Sequence, residues 1–266
     1  MASAQTPPQA LERLRSEPAQ CAVLLDIDGT LAPIVRHAAD ALVPEATRSL
    51  LIEVSRRYGL VACVTGRGSS DARRIVGIGT IAYVGNHGGE LLAPGGTTVE
   101  VDAELREWDG QVRAFAATVS GAELDRLRVR TEDKSGIVAF HWRGAPDEPA
   151  AQRRLEEIAQ LAIEEGLAVH WGRKVLEIRP PVAISKGLAI GRLLASGRFR
   201  GAMYVGDDVT DEDAFRTLRE LREQDILQEA LCVAVRSDEA PPGLLALADM
   251  TVEGPDGVRA LLEALL

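Results

Sequence analysis

The sequence predicts an α/β protein: a mostly parallel sheet covered by helices, with an inserted α+β segment. Three observations predict it. Short apolar, β-rich runs alternate with amphipathic runs over the first hundred residues and again from about residue 183 to the end, the pattern of parallel strands joined by helices. Over roughly residues 104–182 the period changes to a helix and two alternating runs, given twice. Asp26, Thr65 and Gly85 sit where the first three predicted strands end, and parallel sheets bind ligands at those ends.

The elements follow in order. "MASAQTPPQALERLRSEP" has no apolar leader stretch and runs at most into a helix. "CAVLLD" is apolar and too short for a helix, so it reads as the first strand, ending at Asp26. "PEATRSLLIEVSRRYG" is a helix with Pro44 at its start and Gly59 at its stop. "LVACVT" is the second strand, ending at Thr65; "SSDARRIVG" is a helix and "IAYVG" the third strand. In the insert, "AELREWDGQVRAFAATV" and "EPAAQRRLEEIAQLAIEEG" are helical. "LRVRTEDKSGIVAFHWR" is a hairpin around Lys134-Ser135-Gly136, and "LAVHWGRKVLEIRP" is a second around Gly172. The insert is therefore αββαββ, and Pro180-Pro181 stiffens its return. "KGLAIGRLLAS", "AMYVGDD", "DEDAFRTLREL", "LCVAV", "GLLALA", "MTVEG" and "DGVRALLEALL" resume the alternation and complete the sheet. The expected division is a core of residues 1–103 and 183–266 and an insert of residues 104–182.

Composition narrows the function. With 46% apolar and 26% charged residues the chain is ordinary for a globular protein, and a net charge of -10 with a pI near 5.0 argues against a nucleic-acid partner. No stretch approaches membrane-spanning length. Cys21, Cys63 and Cys232 lie in or beside apolar runs without metal-type spacing. Buried, reduced thiols and a cytoplasmic location are expected.

Four short motifs stand at strand ends or helix starts: "DIDGT", "VTGR", "SKG" and "VGDDVTDE". Each alone reads as a turn, a helix cap, a solvated lysine or an acidic first turn. Jointly they supply the parts for phosphoryl transfer: a carboxylate nucleophile, a metal site, donors for the phosphate and an acid for the leaving oxygen. Asp26/Asp28 and Asp207/Asp208/Asp211, brought together at strand ends, would make a Mg²⁺ site. Thr65, the backbone N–H groups that follow it at Gly66, and Lys186 opposite would hold the phosphate.

"DIDGTL", "VTGR", the lysine of "SKG" and "GDDVTDE" resemble the four motifs of the haloacid dehalogenase superfamily of phosphatases. "GDDVTDE", "GNHGGE", "TEDKSGIVAFHWR" and "VLEIRP" further resemble patterns of the trehalose-6-phosphate phosphatase family, over most of residues 20–260. The resemblance implies that family's Rossmann-like core, with the insert as its C2-type cap. It implies Asp26 as nucleophile and metal ligand, and Asp28 as general acid and then base with its carbonyl on the metal. Asp207 would be a direct ligand, while Asp208 and Asp211 would act directly or through water. Thr65, Gly66 and Lys186 would bind phosphate and Arg67 would help. Glu132, Lys134 and Glu177 match positions that contact the sugar. His87 touches substrate or orders its loop, and His141 or Arg143 reaches the site while Trp142 faces the core. Trp108, Trp171 and His170 are left as packing or surface residues.

The expected function is a Mg²⁺-dependent, monomeric hydrolase of trehalose 6-phosphate, with no nucleic-acid or membrane partner. A phosphatase for another sugar phosphate, such as glucosyl- or mannosyl-3-phosphoglycerate, is the near alternative. A phosphomutase of the superfamily would need a cap between the first two motifs, where one helix and a strand take up most of the residues. A non-catalytic sensor or partner domain would be expected to lack a nucleophile or metal ligand, and none is lacking.

Overall fold

The computed structural model describes residues 9–35, 40–134, 136–195, 198–237 and 240–266. The chain divides into two compact units, residues 1–100 with 184–266, and residues 101–183. Among the described residues no helix is long and apolar enough to cross a membrane.

The first unit opens with α1 (Gln9–Ser16), then β1 (Cys21–Leu25), α2 (Glu45–Arg57), β2 (Leu60–Val64), α3 (Ser69–Val76), β3 (Ala82–Gly85), β4 (Glu90–Leu92) and β5 (Val99–Val101). Every residue of β1 is buried, because both faces of the sheet are covered; such strands read as continuous apolar runs rather than alternating ones. The sequence pattern does not anticipate β4 and β5, so the chain leaves the sheet after β5 rather than after β3.

On return, α7 (Lys186–Leu194), β10 (Gly201–Gly206), α8 (Asp211–Glu223), β11 (Glu229–Arg236), α9 (Pro242–Leu247), β12 (Met250–Glu253) and α10 (Gly254–Ala264) complete the unit. The sheet order is β12-β11-β10-β1-β2-β3-β4-β5. The six strands from β12 to β3 are parallel, and β4 pairs antiparallel with β3. One face packs Val23, Leu25, Cys63, Met203 and Val205 on α1, α2, α3 and α10. The other packs Leu24, Ala62, Tyr204 and Cys232 on α7, α8 and α9. The three cysteines are free and buried.

The strand order reverses beside β1: β2 lies on one side and β10 on the other, all three running parallel. In open parallel sheets that switch point leaves a crevice outside the carboxyl ends. Asp26 and Asp207, the residues after β1 and β10, meet there.

The second unit holds α4 (Ala103–Val119), α5 (Ala122–Arg126), β6 (Arg130–Asp133), β7 (Val138–His141), α6 (Glu148–Glu164), β8 (Ala168–Gly172) and β9 (Val175–Arg179). Its antiparallel sheet has the order β6-β7-β9-β8. Val112 and Phe115 of α4 and Leu155 and Ile158 of α6 pack with Phe140, Leu176 and Ile178. The short α5 is additional to the αββαββ reading. The second hairpin turns at Arg173-Lys174, since Gly172 pairs with Val175 and Lys174 takes the left-handed conformation at φ 57°. Of the first turn, Ser135 lies outside the described residues.

Candidate active site

Four loops of the first unit converge at the switch point. Asp26 is tied in place by its backbone N–H, which donates to the Val205 carbonyl at 2.9 Å. Its carboxylate is buried and accepts from Lys186 Nζ at 2.9 Å. Lys186 opens α7, and a cation at a helix N-terminus opposes the helix dipole. Two carboxylates offset that cost, Asp26 and Asp211, the latter accepting at 2.7 Å.

Asp211 is saturated by the chain. Its Oδ1 takes Lys186 and the Tyr204 hydroxyl (2.6 Å), and its Oδ2 takes the backbone N–H groups of Asp207 and Asp208 (2.9 Å each). A carboxylate has about four acceptor positions, and four donors fill them. Asp208 turns back on its own loop, with Oδ1 accepting from the Thr210 N–H (2.8 Å) and hydroxyl (2.6 Å). Asp207 Oδ1 accepts from the Thr30 hydroxyl at 3.0 Å. Gly29, at φ +84°, permits that approach, because a Cβ there would lie 2.1 Å from Asp207 Oδ2.

The electrostatics are those of too many buried carboxylates for one lysine. Burial raises the Asp26 pKa well above the ordinary carboxylate range, Lys186 opposes this, and Asp211, Asp207 and Asp208 add to it. Asp207 is pushed up to about 7 by burial, then by Asp211 and Asp208. Burial lowers the Lys186 pKa, but Asp211 and Asp26 outweigh it and the ammonium is held well above its usual value. Burial also pushes Asp208 up, yet Lys186 and Thr210 outweigh it and hold its carboxyl below the usual range. Oxygens of Asp26, Asp207 and Asp211 lie within 4.8 Å of one another, a group that can hold a metal ion. Asp211 has no lone pair left, so the donor set that fits a hard divalent cation is Asp26 and Asp207, whose mutual repulsion such a cation relieves.

The loop after β2 forms the opposite wall. Thr65 is buried and its N–H donates to the Val84 carbonyl at 2.9 Å. The His87 N–H donates to the Thr65 carbonyl at 3.0 Å, and the His87 ring lies on Gly66, where a Cβ would fall 2.6 Å from Nε2. Buried Glu90 joins the two loops by accepting from the Ser69 N–H, the Ser69 hydroxyl and Asn86 Nδ2, all at 2.8 Å. Sequence reasoning gives Glu90 no role, although an acid inside "GNHGGE" next to a strand is a signal that a buried partner exists. Arg67 Nε donates to Asp28 Oδ2 at 2.5 Å and Nη2 to Asp28 Oδ1 at 2.6 Å, so its contact is an acidic side chain of the site itself.

In the second unit, Glu132, Ala139, Glu177 and His170 form one row across the sheet. Lys134 Nζ donates to Glu177 Oε1 at 2.9 Å, Arg179 donates to Glu177 Oε2, and His141 Nε2 meets Glu132 Oε2 at 2.7 Å. The His141 bond, against the cost of burial, holds the Glu132 carboxyl below its ordinary value. The structure therefore brings Glu132, Lys134 and Glu177 together. Trp142 is buried, edge-on to the half-exposed Trp171. Arg143 is not with them: it is exposed in the turn two residues beyond the end of β7, beside the Arg173 carbonyl.

The geometry can be set beside known proteins. The model of the trehalose-phosphatase family matches residues 24–248. An uncharacterized glycosyl hydrolase of Mycobacterium tuberculosis is 37% identical over 205 residues, which make up 74% of this chain but 15% of that protein. A probable trehalose-phosphate phosphatase of Sinorhizobium fredii is 36% identical over 204 residues, 75% of this chain and 74% of that one. The C-terminal domain of C. albicans trehalose-6-phosphate phosphatase shares the fold, with a TM-score of 0.77 at 22% identity over 98% of this chain and 97% of that one. The match across both halves of the core and the insert means that this chain belongs to the trehalose-phosphatase family, of the haloacid dehalogenase type.

Proposed function

We propose that this chain is a Mg²⁺-dependent phosphatase that hydrolyses trehalose 6-phosphate to trehalose and phosphate through an aspartyl-phosphate. The observation that carries the reading is the buried Asp26 carboxylate beside Lys186 and Asp207 at the switch point, in a chain of this family. An Asp26 oxygen attacks phosphorus in line and the bond to the sugar oxygen breaks. Asp28 gives that oxygen its proton. Water then attacks the phosphorus, Asp28 takes the water's proton, and the bond to Asp26 breaks, restoring the carboxylate. Thr65, the Gly66 N–H and Lys186 hold the phosphoryl oxygens throughout. Mg²⁺, held by Asp26, Asp207 and the Asp28 carbonyl, would neutralise the phosphoryl charge when bound. Asp211 orients Lys186 and the Asp207-Asp208 backbone rather than touching the metal.

The second unit serves as the cap in this reading, with the division near residues 104–182 read from the sequence. Glu132, Lys134 and Glu177 would take the sugar hydroxyls, the acids accepting and the lysine donating. Arg143 stands apart from that row. The protein is proposed to work as a cytoplasmic monomer, in keeping with its buried free thiols. A phosphate-release screen over a sugar-phosphate panel, with Mg²⁺ and with chelator, tests the proposal. Trehalose 6-phosphate should head the panel and chelation should stop the reaction reversibly. Preference for a phosphoglycerate glycoside would overturn the substrate, and full activity in chelator the metal.

A further inference from the structure

Arg67 belongs to the "VTGR" loop, where a cation reads as a phosphate ligand. Its contacts point elsewhere, and we infer that Arg67 is a positioning residue that sets the orientation of Asp28. Both Asp28 oxygens accept from one guanidinium, Oδ2 from Nε at 2.5 Å and Oδ1 from Nη2 at 2.6 Å. A fork of this kind fixes the carboxylate plane, which a single hydrogen bond leaves free to turn. The arginine is itself held, since Nη1 donates to Asp71 Oδ2 at 3.2 Å and Asp71 Oδ1 accepts from Arg74 Nη2 at 2.7 Å. Asp71 lies in the first turn of α3, and the Arg67 N–H donates to Thr65 Oγ1 at 3.2 Å. The Arg67 side chain is 14% exposed against 37% for Asp28, so the arginine is the fixed member of the pair.

The inference rests on Asp28 being the proton donor and acceptor of the proposed reaction. Each Asp28 oxygen has two lone pairs and the fork takes one of each, so a proton can pass between Asp28 and the departing sugar oxygen while both N–H···O bonds hold, and the Asp71 contact keeps the guanidinium in place meanwhile. Misplacement of a reacting group by about 1 Å costs about 10²-fold, so loss of the fork should be felt where proton transfer matters. A sugar alkoxide needs that proton and p-nitrophenolate does not.

The experiment measures kcat/KM on trehalose 6-phosphate and on p-nitrophenyl phosphate for Arg67→Gln, Arg67→Lys, Asp71→Asn, Asp28→Asn and the Asp28→Asn/Arg67→Gln double variant. Arg67→Gln and Arg67→Lys should each lose roughly 10- to 100-fold on the sugar phosphate and little on p-nitrophenyl phosphate. Lysine keeps the charge but cannot fork, so no rescue is expected. Asp71→Asn keeps the arginine and should give a smaller loss with the same substrate dependence, a readout that survives should the Arg67 variants fold poorly. The double variant should be no slower than Asp28→Asn alone. Rescue by lysine, equal losses on both substrates, or additive losses in the double variant would overturn the inference and return Arg67 to the phosphate. An Asp28→Asn variant with unchanged kcat/KM on the sugar phosphate would overturn the role of Asp28, and this inference with it.

Discussion

Replacing Asp211 by asparagine separates two roles for that residue, because they predict opposite effects on stability in the absence of metal. Asp211 is wholly buried and accepts from Lys186, Tyr204 and two backbone N–H groups. Asparagine keeps one oxygen and turns an NH₂ toward two of those donors. Breaking a buried ion pair costs about 3–5 kcal/mol, and the low end applies because Lys186 keeps Asp26 as a partner. A loss of about 3 kcal/mol at about 2–4 °C per kcal/mol for a chain of this size lowers Tm by roughly 6–12 °C. The assay is thermal unfolding in chelator and in excess Mg²⁺, paired with a Mg²⁺ titration of the variant. If Asp211 were instead a metal ligand, its neutralisation would relieve repulsion with Asp26 and Asp207 and leave the metal-free protein as stable or more so. An undiminished Tm in chelator together with a collapsed Mg²⁺ affinity would refute the assignment of Asp211 to the scaffold.

Other outcomes follow from the same geometry. Asp207→Ala should raise the Mg²⁺ requirement sharply or end activity while the fold persists, as circular dichroism and a metal titration would show. Because the folded state raises the Asp207 pKa to about 7, from about 3.9 in an unfolded chain, the native state binds more protons between those values. Metal-free stability should therefore fall as pH rises from about 4 to 7, and Mg²⁺ should cancel the fall; a metal-free Tm rising through that window would contradict this. Glu177→Ala strips Lys134 and Arg179 of their shared partner. It should cost about 1–3 kcal/mol in kcat/KM on trehalose 6-phosphate and little on p-nitrophenyl phosphate, and equal losses would leave that row without a role in sugar recognition.

The central strands are legible in the sequence because burial on both faces makes β1 and β2 apolar throughout and β10 apolar but for Tyr204, and an aspartate or threonine closing such a run has no bland place in a core. β4 and β5 are not, since strands of three residues flanking "APGGTT" carry too little periodicity to register. The acids of the site can be gathered from sequence but not sorted. Asp211 differs from Asp207 through donors supplied by α7, β10 and the loop between β10 and α8, a convergence that no local pattern encodes. One hint is present: Tyr204 stands in an otherwise apolar strand, and a buried phenol needs an acceptor. Arg67 reads toward phosphate for the same reason, its partner Asp28 being brought to it by the pairing of β1 with β2.

Covalent chemistry at Asp26 is the central claim. A rapid-quench single turnover with trehalose 6-phosphate labelled in its phosphate, followed by peptide mapping, should find label on the peptide holding Asp26 before free phosphate accumulates, with trehalose released in a burst. The Asp26→Asn variant, folded by circular dichroism, should take up no label and release no trehalose. Free phosphate appearing in step with trehalose and no labelled protein, or label on Asp207 or Asp208, would contradict it.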